Sequence, residues 1–261
     1  MMNSKRKTIL ILLVVLLVTI GGIYFYKSSN YSGVLKEYNS KGVLVGSNEY
    51  VIKNGDTILH GQFISYNTHG IKISEGNYVN GYIKGKCIYY YDNGKIETIQ
   101  YRKKNKIKEE TTEYYPNGKV KKYIMSDPFG LEAFIARYDE QGIIKSYEGY
   151  PLMEIYQYPI AHKERFKVKI NQYLKVGDIL KYRYLIANIP DVKRSFKIEN
   201  ISIGNSKVKR TLKYIIPTQI NVEEVLIKKG KNVIRAVVKY AFDDKIIQPL
   251  NDTISFDVYV N

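Results

Sequence analysis

The chain has 261 residues, 44% of them hydrophobic, with 26 tyrosines, no tryptophan and a formal charge of +16. That length accommodates two modest domains, and the apolar share is that of a folded protein. The single cysteine, Cys87, excludes an intramolecular disulfide framework, and it cannot make a thiolate zinc site without a partner chain. It is expected as a small buried residue on a strand. Residues 31–150 hold 17 basic and 14 acidic side chains, and residues 151–261 hold 20 and 11, so the basic character belongs mainly to the C-terminal part. A basic domain can meet anionic lipid, nucleic acid or an acidic polymer, although scattered lysines read first as a solvated surface.

Residues 8–26 run TILILLVVLLVTIGGIYFY without a charge, after Lys5, Arg6 and Lys7 and before Lys27. Nineteen residues at about 1.5 Å rise each just match a bilayer core of roughly 30 Å. The spacing predicts one transmembrane helix in residues 1–30, with the N-terminus cytoplasmic, the remaining chain outside the cytoplasm, and Tyr24, Phe25 and Tyr26 as an interfacial belt. A cleaved signal peptide stands beside this reading and gives the same address.

From residue 31 a phrase of one aromatic, a short polar turn and a glycine recurs. It reads Tyr38-Asn39-Ser40-Lys41-Gly42, Tyr66-Asn67-Thr68-His69-Gly70, Tyr90-Tyr91-Asp92-Asn93-Gly94, Tyr114-Tyr115-Pro116-Asn117-Gly118 and Tyr138-Asp139-Glu140-Gln141-Gly142. The steps between Gly42, Gly70, Gly94, Gly118 and Gly142 are 28, 24, 24 and 24 residues, the mark of a repeat array. Asn54-Gly55, Asn80-Gly81, Asn93-Gly94 and Asn117-Gly118 are expected as type I′ hairpin turns. Tyr-, Ile-, Val- and Thr-rich segments between them read as strands, two strands and two turns per unit. Asn105-Lys106 continues the second turn register begun by Asn80-Gly81.

The pattern Tyr-Tyr-x-Asn-Gly-Lys, at Tyr90, Tyr91, Asn93, Gly94 and Lys95 and again at Tyr114, Tyr115, Asn117, Gly118 and Lys119, resembles the bacterial variant of the MORN repeat. Proteins carrying it are often labelled antitoxin-like. The resemblance covers residues 31–150 and implies a binding or scaffolding surface. The antitoxin label does not carry over, because an antitoxin of a cytoplasmic toxin belongs in the cytoplasm.

From Pro151 the period stops and strict alternation begins, as in Phe166–Ile170, Ile179–Leu185, Phe196–Ile201, Val233–Tyr240 and Ile254–Val260. Seven or so such strands predict a β-sandwich over residues 151–261. The stretch Lys229-Gly230-Lys231-Asn232-Val233-Ile234, with the two strands after it, resembles the last hairpin of immunoglobulin-like bacterial domains. The expected fold class is therefore all-β, a hairpin array of about 24-residue period followed by a sandwich, preceded by one transmembrane helix.

Catalytic patterns are missing from the sequence. His60, His69 and His162 stand apart, and no zincin, nucleophile-elbow, P-loop or Rossmann motif occurs. Glu223-Glu224 and Asp243-Asp244 point to opposite faces if they lie on strands. Asn200-Ile201-Ser202 and Asn251-Asp252-Thr253 match the glycosylation pattern. The basic run 102–108 near Tyr101 is followed at once by Glu109 and Glu110, so nucleic acid is not expected. The reading is a non-enzymatic module without metal or cofactor, and its partner is another envelope protein. Tyr66, Tyr90, Tyr91, Tyr114, Tyr115 and Tyr138 are the candidate contacts, and Gly42, Gly70, Gly94, Gly118 and Gly142 hold the turns. The alternative is an anionic lipid or envelope polymer held by the basic C-terminal domain.

Overall fold

Period-two alternation between turn glycines yields strands, and strands dominate the chain. The computed structural model describes residues 15–19, 32–104, 107–157, 174–242 and 249–261. It divides into two compact units, Met1–Gly94 and Lys95–Asn261.

In the first unit β1 (Ser32–Tyr38), β2 (Leu44–Lys53), β3 (Asp56–Tyr66), β4 (Lys72–Val79) and β6 (Gly85–Tyr90) are neighbours in that order, and β5 (Tyr82–Ile83) pairs with β4. All the pairings in this unit are antiparallel. The sheet buries little. Phe63 and Cys87 are its buried apolar side chains, and Gly76 leaves room for both: a Cβ there would lie 2.7 Å from the Phe63 ring and 2.9 Å from Cys87 Sγ.

The second unit opens with the meander β7 (Ile96–Lys104), β8 (Ile107–Tyr114), β9 (Val120–Ser126), β10 (Glu132–Tyr138) and β11 (Ile144–Gly149). Then come β12 (Leu152–Gln157), β13 (Ile179–Ile186), β14 (Lys193–Asn200), β15 (Arg210–Ile215), β16 (Gln219–Val225), β17 (Gly230–Ala241) and β18 (Leu250–Val260), with a short 3-10 turn at Asn205–Lys207. They form a four-stranded sheet, β12-β13-β16-β15, and a three-stranded sheet, β14-β17-β18. The two sheets face each other. Tyr182 on β13 meets Phe256 on β18 edge-to-face at 5.2 Å, and Tyr184 meets Phe196 on β14 at 5.8 Å. The same hydrophobic core takes in Val120, Tyr123, Met125, Phe134 and Tyr138 from the meander.

The structure corrects two expectations. The transmembrane helix is not found. Among the described residues no helix is long and apolar enough to cross a membrane, and the described helical part of the apolar run is residues 15–19. The rest of that run lies outside the described residues, as do Asn105-Lys106, His162, the Phe166–Ile170 segment and Asp243-Asp244.

The second correction concerns turn type. Asn54 and Gly55 (φ 55° and 89°) and Asn80 and Gly81 (50° and 78°) have the paired positive φ of type I′ turns. At Asn93-Gly94 and Asn117-Gly118 only the glycine is positive. There Gly118 N–H donates to Tyr115 O and Tyr115 N–H to Lys119 O, each at 2.8 Å, and the register slips between Glu113 and Tyr114. This is a type I turn closed by a left-handed glycine bulge. Asn117 favours it by accepting the Lys119 N–H on its Oδ1 at 2.9 Å.

The glycosylation pattern at Asn200 falls on a buried residue. It is 2% exposed, and its amide donates to Glu224 Oε1 and Asn232 Oδ1, so its glycosylation pattern is not accessible in the folded chain.

Candidate binding site

The repeat phrase works mostly as internal fastening. Its first turn position is an acceptor for two backbone N–H groups: Asn39 for Lys41 and Val43, Asn67 for His69 and Ile71, Asp139 for Gln141 and Ile143. Asp127 does the same for Phe129 and Leu131, in a turn outside the glycine series of the phrase. Successive turns are also tied sideways. Asn67 Nδ2 donates to Asp92 Oδ1 at 3.3 Å, and Asn117 Nδ2 donates to Glu140 O at 2.7 Å. Gly42, Gly70, Gly94, Gly118 and Gly142 have φ between 76° and 89°, the region that favours glycine.

The six candidate tyrosines are not free surface side chains. In the first unit Tyr66, Tyr90 and Tyr91 are half-buried. The Tyr90 hydroxyl donates to the Glu75 carboxylate, while Lys72 Nζ donates to Tyr90 Oη at 3.3 Å and lies 4.4 Å from its ring centroid. The hydrogen bond from Tyr90 holds the Glu75 carboxyl below its usual range, with Lys72 adding to the effect. In the second unit Tyr115 is half-buried and donates to Tyr138 O at 2.9 Å.

Tyr114 and Tyr138 come together. Both line a cavity of about 430 Å³ between the turns 115–119 and 139–143 and the segment after β13. Its walls are Tyr114, Val120, Tyr138, Ile143, Ile144, Pro190, Val192 and Phe242, with Lys119 and Asp191 as its charged residues. Tyr138 is 8% exposed, and its hydroxyl is buried without a hydrogen-bond partner among the described residues. Such an orphan costs about 1–3 kcal/mol relative to a satisfied one. Burial pushes both phenols up, and the Asp191 carboxylate adds to the effect on each, so both are neutral hydroxyls at physiological pH. Asp191 sits in a turn with φ 58°, and no ion pair to it is found among the described residues. A non-glycine residue in the left-handed region is uncommon, and such positions gather at ligand sites. Asp191, Val192 and Phe242 lie outside the periodic phrase, so the repeat does not reveal them; the Pro190-Asp191 turn pair was the available signal.

Two other polar clusters are structural. On β16, Glu224 is 1% exposed; Arg210 donates to its Oε2 from Nε (2.8 Å) and Nη2 (2.7 Å), and Tyr182 donates to the same oxygen at 2.8 Å. Its neighbour Glu223 faces solvent and pairs with Lys181, so this acidic pair does split across the strand. On β8, buried Glu110 accepts from Tyr123 Oη at 2.8 Å, and that hydroxyl accepts the Asn188 N–H at 2.6 Å. Among the described residues no group of three or more His, Cys, Asp or Glu side chains could hold a metal.

No family model, curated protein or solved structure matches this chain. The resemblance to MORN-type repeats rests on the turn phrase alone.

Proposed function

We propose that the chain is a non-enzymatic binding or scaffolding module that captures a partner protein at the turn end of its repeat sheet. The observation that carries this reading is the Tyr114–Tyr138 cavity: apolar walls, one unsatisfied buried hydroxyl and one carboxylate, with no nucleophile–base pair beside them among the described residues. The hairpin turns fix its walls through backbone hydrogen bonds, so the site is preformed. The sheet is the platform, and most of its tyrosines act through stiffness.

The polyanion alternative stands second. Several cations of the C-terminal part already face carboxylates, as in Lys181–Glu223, Arg210–Glu224, Lys231–Asp257 and Arg235–Glu199. The proposal keeps the address implied by the charge-free run 8–26 after Lys5, Arg6 and Lys7, on the far side of a membrane. Recovery of the mature chain in the cytosolic fraction contradicts that address.

The test is crosslinking in intact cells with tagged wild type, Asp191→Asn and Tyr90→Phe. One partner recovered at near-equal amount with wild type and Tyr90→Phe, and reduced with Asp191→Asn, is expected. Equal recovery with all three folded proteins removes the cavity from the function. Recovery that collapses with added salt in wild type moves the reading to the polyanion.

A further inference from the structure

We propose that this cavity takes an organic cation, an alkylated ammonium group; the inference rests on the binding-module reading and names the chemistry of its ligand. Three aromatic side chains line it, Tyr114, Tyr138 and Phe242, together with the carboxylate of Asp191. Aromatic faces attract a cation through their quadrupole, and the attraction is strongest for ammonium groups whose alkyl substituents are weakly hydrated. A neighbouring carboxylate adds charge complementarity without requiring a proton from the ligand. The walls contributed by Val192 and the strand starts suit methyl groups.

The other ligand classes fit less well. A neutral apolar body gains nothing from Asp191. An anion meets the Asp191 carboxylate and, among the described lining residues, has Lys119 alone to attract it. Lys119 is exposed, and its stem lies beside Gly142: its Cδ is 3.3 Å from where a Gly142 Cβ would sit. Asp191 is exposed too, so both charges sit in high dielectric and are screened. Lys119 and Asp191 therefore pull in opposite senses on any charged ligand, which makes the sign of the ligand measurable.

Both positions tolerate the change that reads that sign. Lys119→Gln alters an exposed side chain. Asp191→Asn keeps a residue type that readily adopts positive φ, so the turn at φ 58° is preserved.

The experiment is calorimetric titration of the purified full chain in non-ionic detergent with tetramethylammonium chloride, tert-butanol as the neutral isostere, and sodium acetate, at matched ionic strength. Saturable tetramethylammonium binding is expected, with tert-butanol and acetate at least about tenfold weaker. Asp191→Asn should weaken the cation and Lys119→Gln should tighten it, each about twofold to threefold. No saturable binding of the cation overturns the proposal. So does equal binding of tert-butanol, or acetate binding that Lys119→Gln weakens.

Choline and phosphatidylcholine vesicles then separate the sources. Choline binding without vesicle retention supports a soluble cation, and choline-competed vesicle retention supports a headgroup. Partner capture lost in Asp191→Asn without any tetramethylammonium binding removes the ligand class and leaves the module. Tetramethylammonium binding that never affects capture removes the module and leaves the site.

Discussion

Glu110 offers the sharpest test of how the second unit is packed. The side chain is 5% exposed, and its carboxyl is raised from 4.5 to about 7. Burial is the main cause. The Tyr123 hydrogen bond and the Arg194 charge pull the other way without winning, and Glu109 adds a small rise. Because the folded pKa lies above the unfolded one, the folded state keeps a proton that the unfolded chain gives up. The contribution to stability is full below about 4.5, falls as pH rises, and levels off above about 7. At about 1.4 kcal/mol per factor of ten, that span amounts to about 3 kcal/mol. Glu110→Gln keeps the shape and an acceptor for the Tyr123 O–H but removes the titration. The assay is amide hydrogen exchange along β8 and β9 in both proteins from pH 4.5 to 8; it reads local stability without one transition for the whole chain. The variant should be no more stable than wild type at pH 4.5 and should gain on it steadily, by about 3 kcal/mol, up to pH 8. A difference that stays flat across the window, or grows toward acid, refutes the reasoning.

Other outcomes follow from the same geometry. Arg210→Met strands the buried Glu224 charge and should lower the stability of the second unit by about 3–5 kcal/mol in chemical denaturation, whereas Glu223→Gln at the exposed Lys181 pair should cost under about 1. Gly118→Ala and Gly149→Ala share a positive φ (89° and 84°), but only Gly149 would drive its Cβ to 2.1 Å from Ala133 O. The Gly118 change should cost about 1 kcal/mol and the Gly149 change several times more; equal costs contradict the steric account. Cys87 is 0% exposed and should resist maleimide in the native chain, and Gly76→Ala, which crowds Phe63 and Cys87, should make it react faster.

The parts of this fold that depend on local chemistry could be read from the residues. Turn glycines announce positive φ, and alternation announces strands, so β13, β14, β17 and β18 are visible in Ile179–Leu185, Phe196–Ile201, Val233–Tyr240 and Ile254–Val260. β16 is harder to see, because Glu224 stands where an apolar residue would complete the run of Ile220 and Val222. The reason lies fourteen residues away in Arg210, and no local pattern contains it. Two of the Asn-Gly turns depart from type I′ for a similar reason, as Asn117 illustrates. It spends its Oδ1 on Lys119 N–H and its Nδ2 on Glu140 O, which stabilises a wider turn. Of the candidate site, Tyr114 and Tyr138 were within reach of the sequence. Asp191 and Phe242 were not, since only tertiary packing brings them to the same cavity.

The two units use the same aromatic phrase to different ends. In the first, Tyr90 spends its hydroxyl on Glu75 and its ring on Lys72, so the residue that looks most like a contact is already occupied. In the second, Tyr138 of the phrase joins Tyr123 and Phe134 in the core that also holds Tyr184 and Tyr240 of the sandwich. Burial of that kind removes a tyrosine from the pool of surface contacts and leaves its hydroxyl to find a partner inside. Tyr123 finds Glu110 and Asn188, and Tyr240 donates to Ala187 O at 2.7 Å. The hydroxyls of Tyr138 and Tyr184 find none among the described residues. Of these two orphans Tyr138 lines the Tyr114–Tyr138 cavity, whereas Tyr184 packs edge-to-face against Tyr182 and Phe196 between the sheets. The Tyr138 hydroxyl is itself shielded from solvent, so a ligand in that cavity reaches it only if the lining moves. If it carries an acceptor or donor for that group, it gains more there than at any half-buried tyrosine that is already bonded.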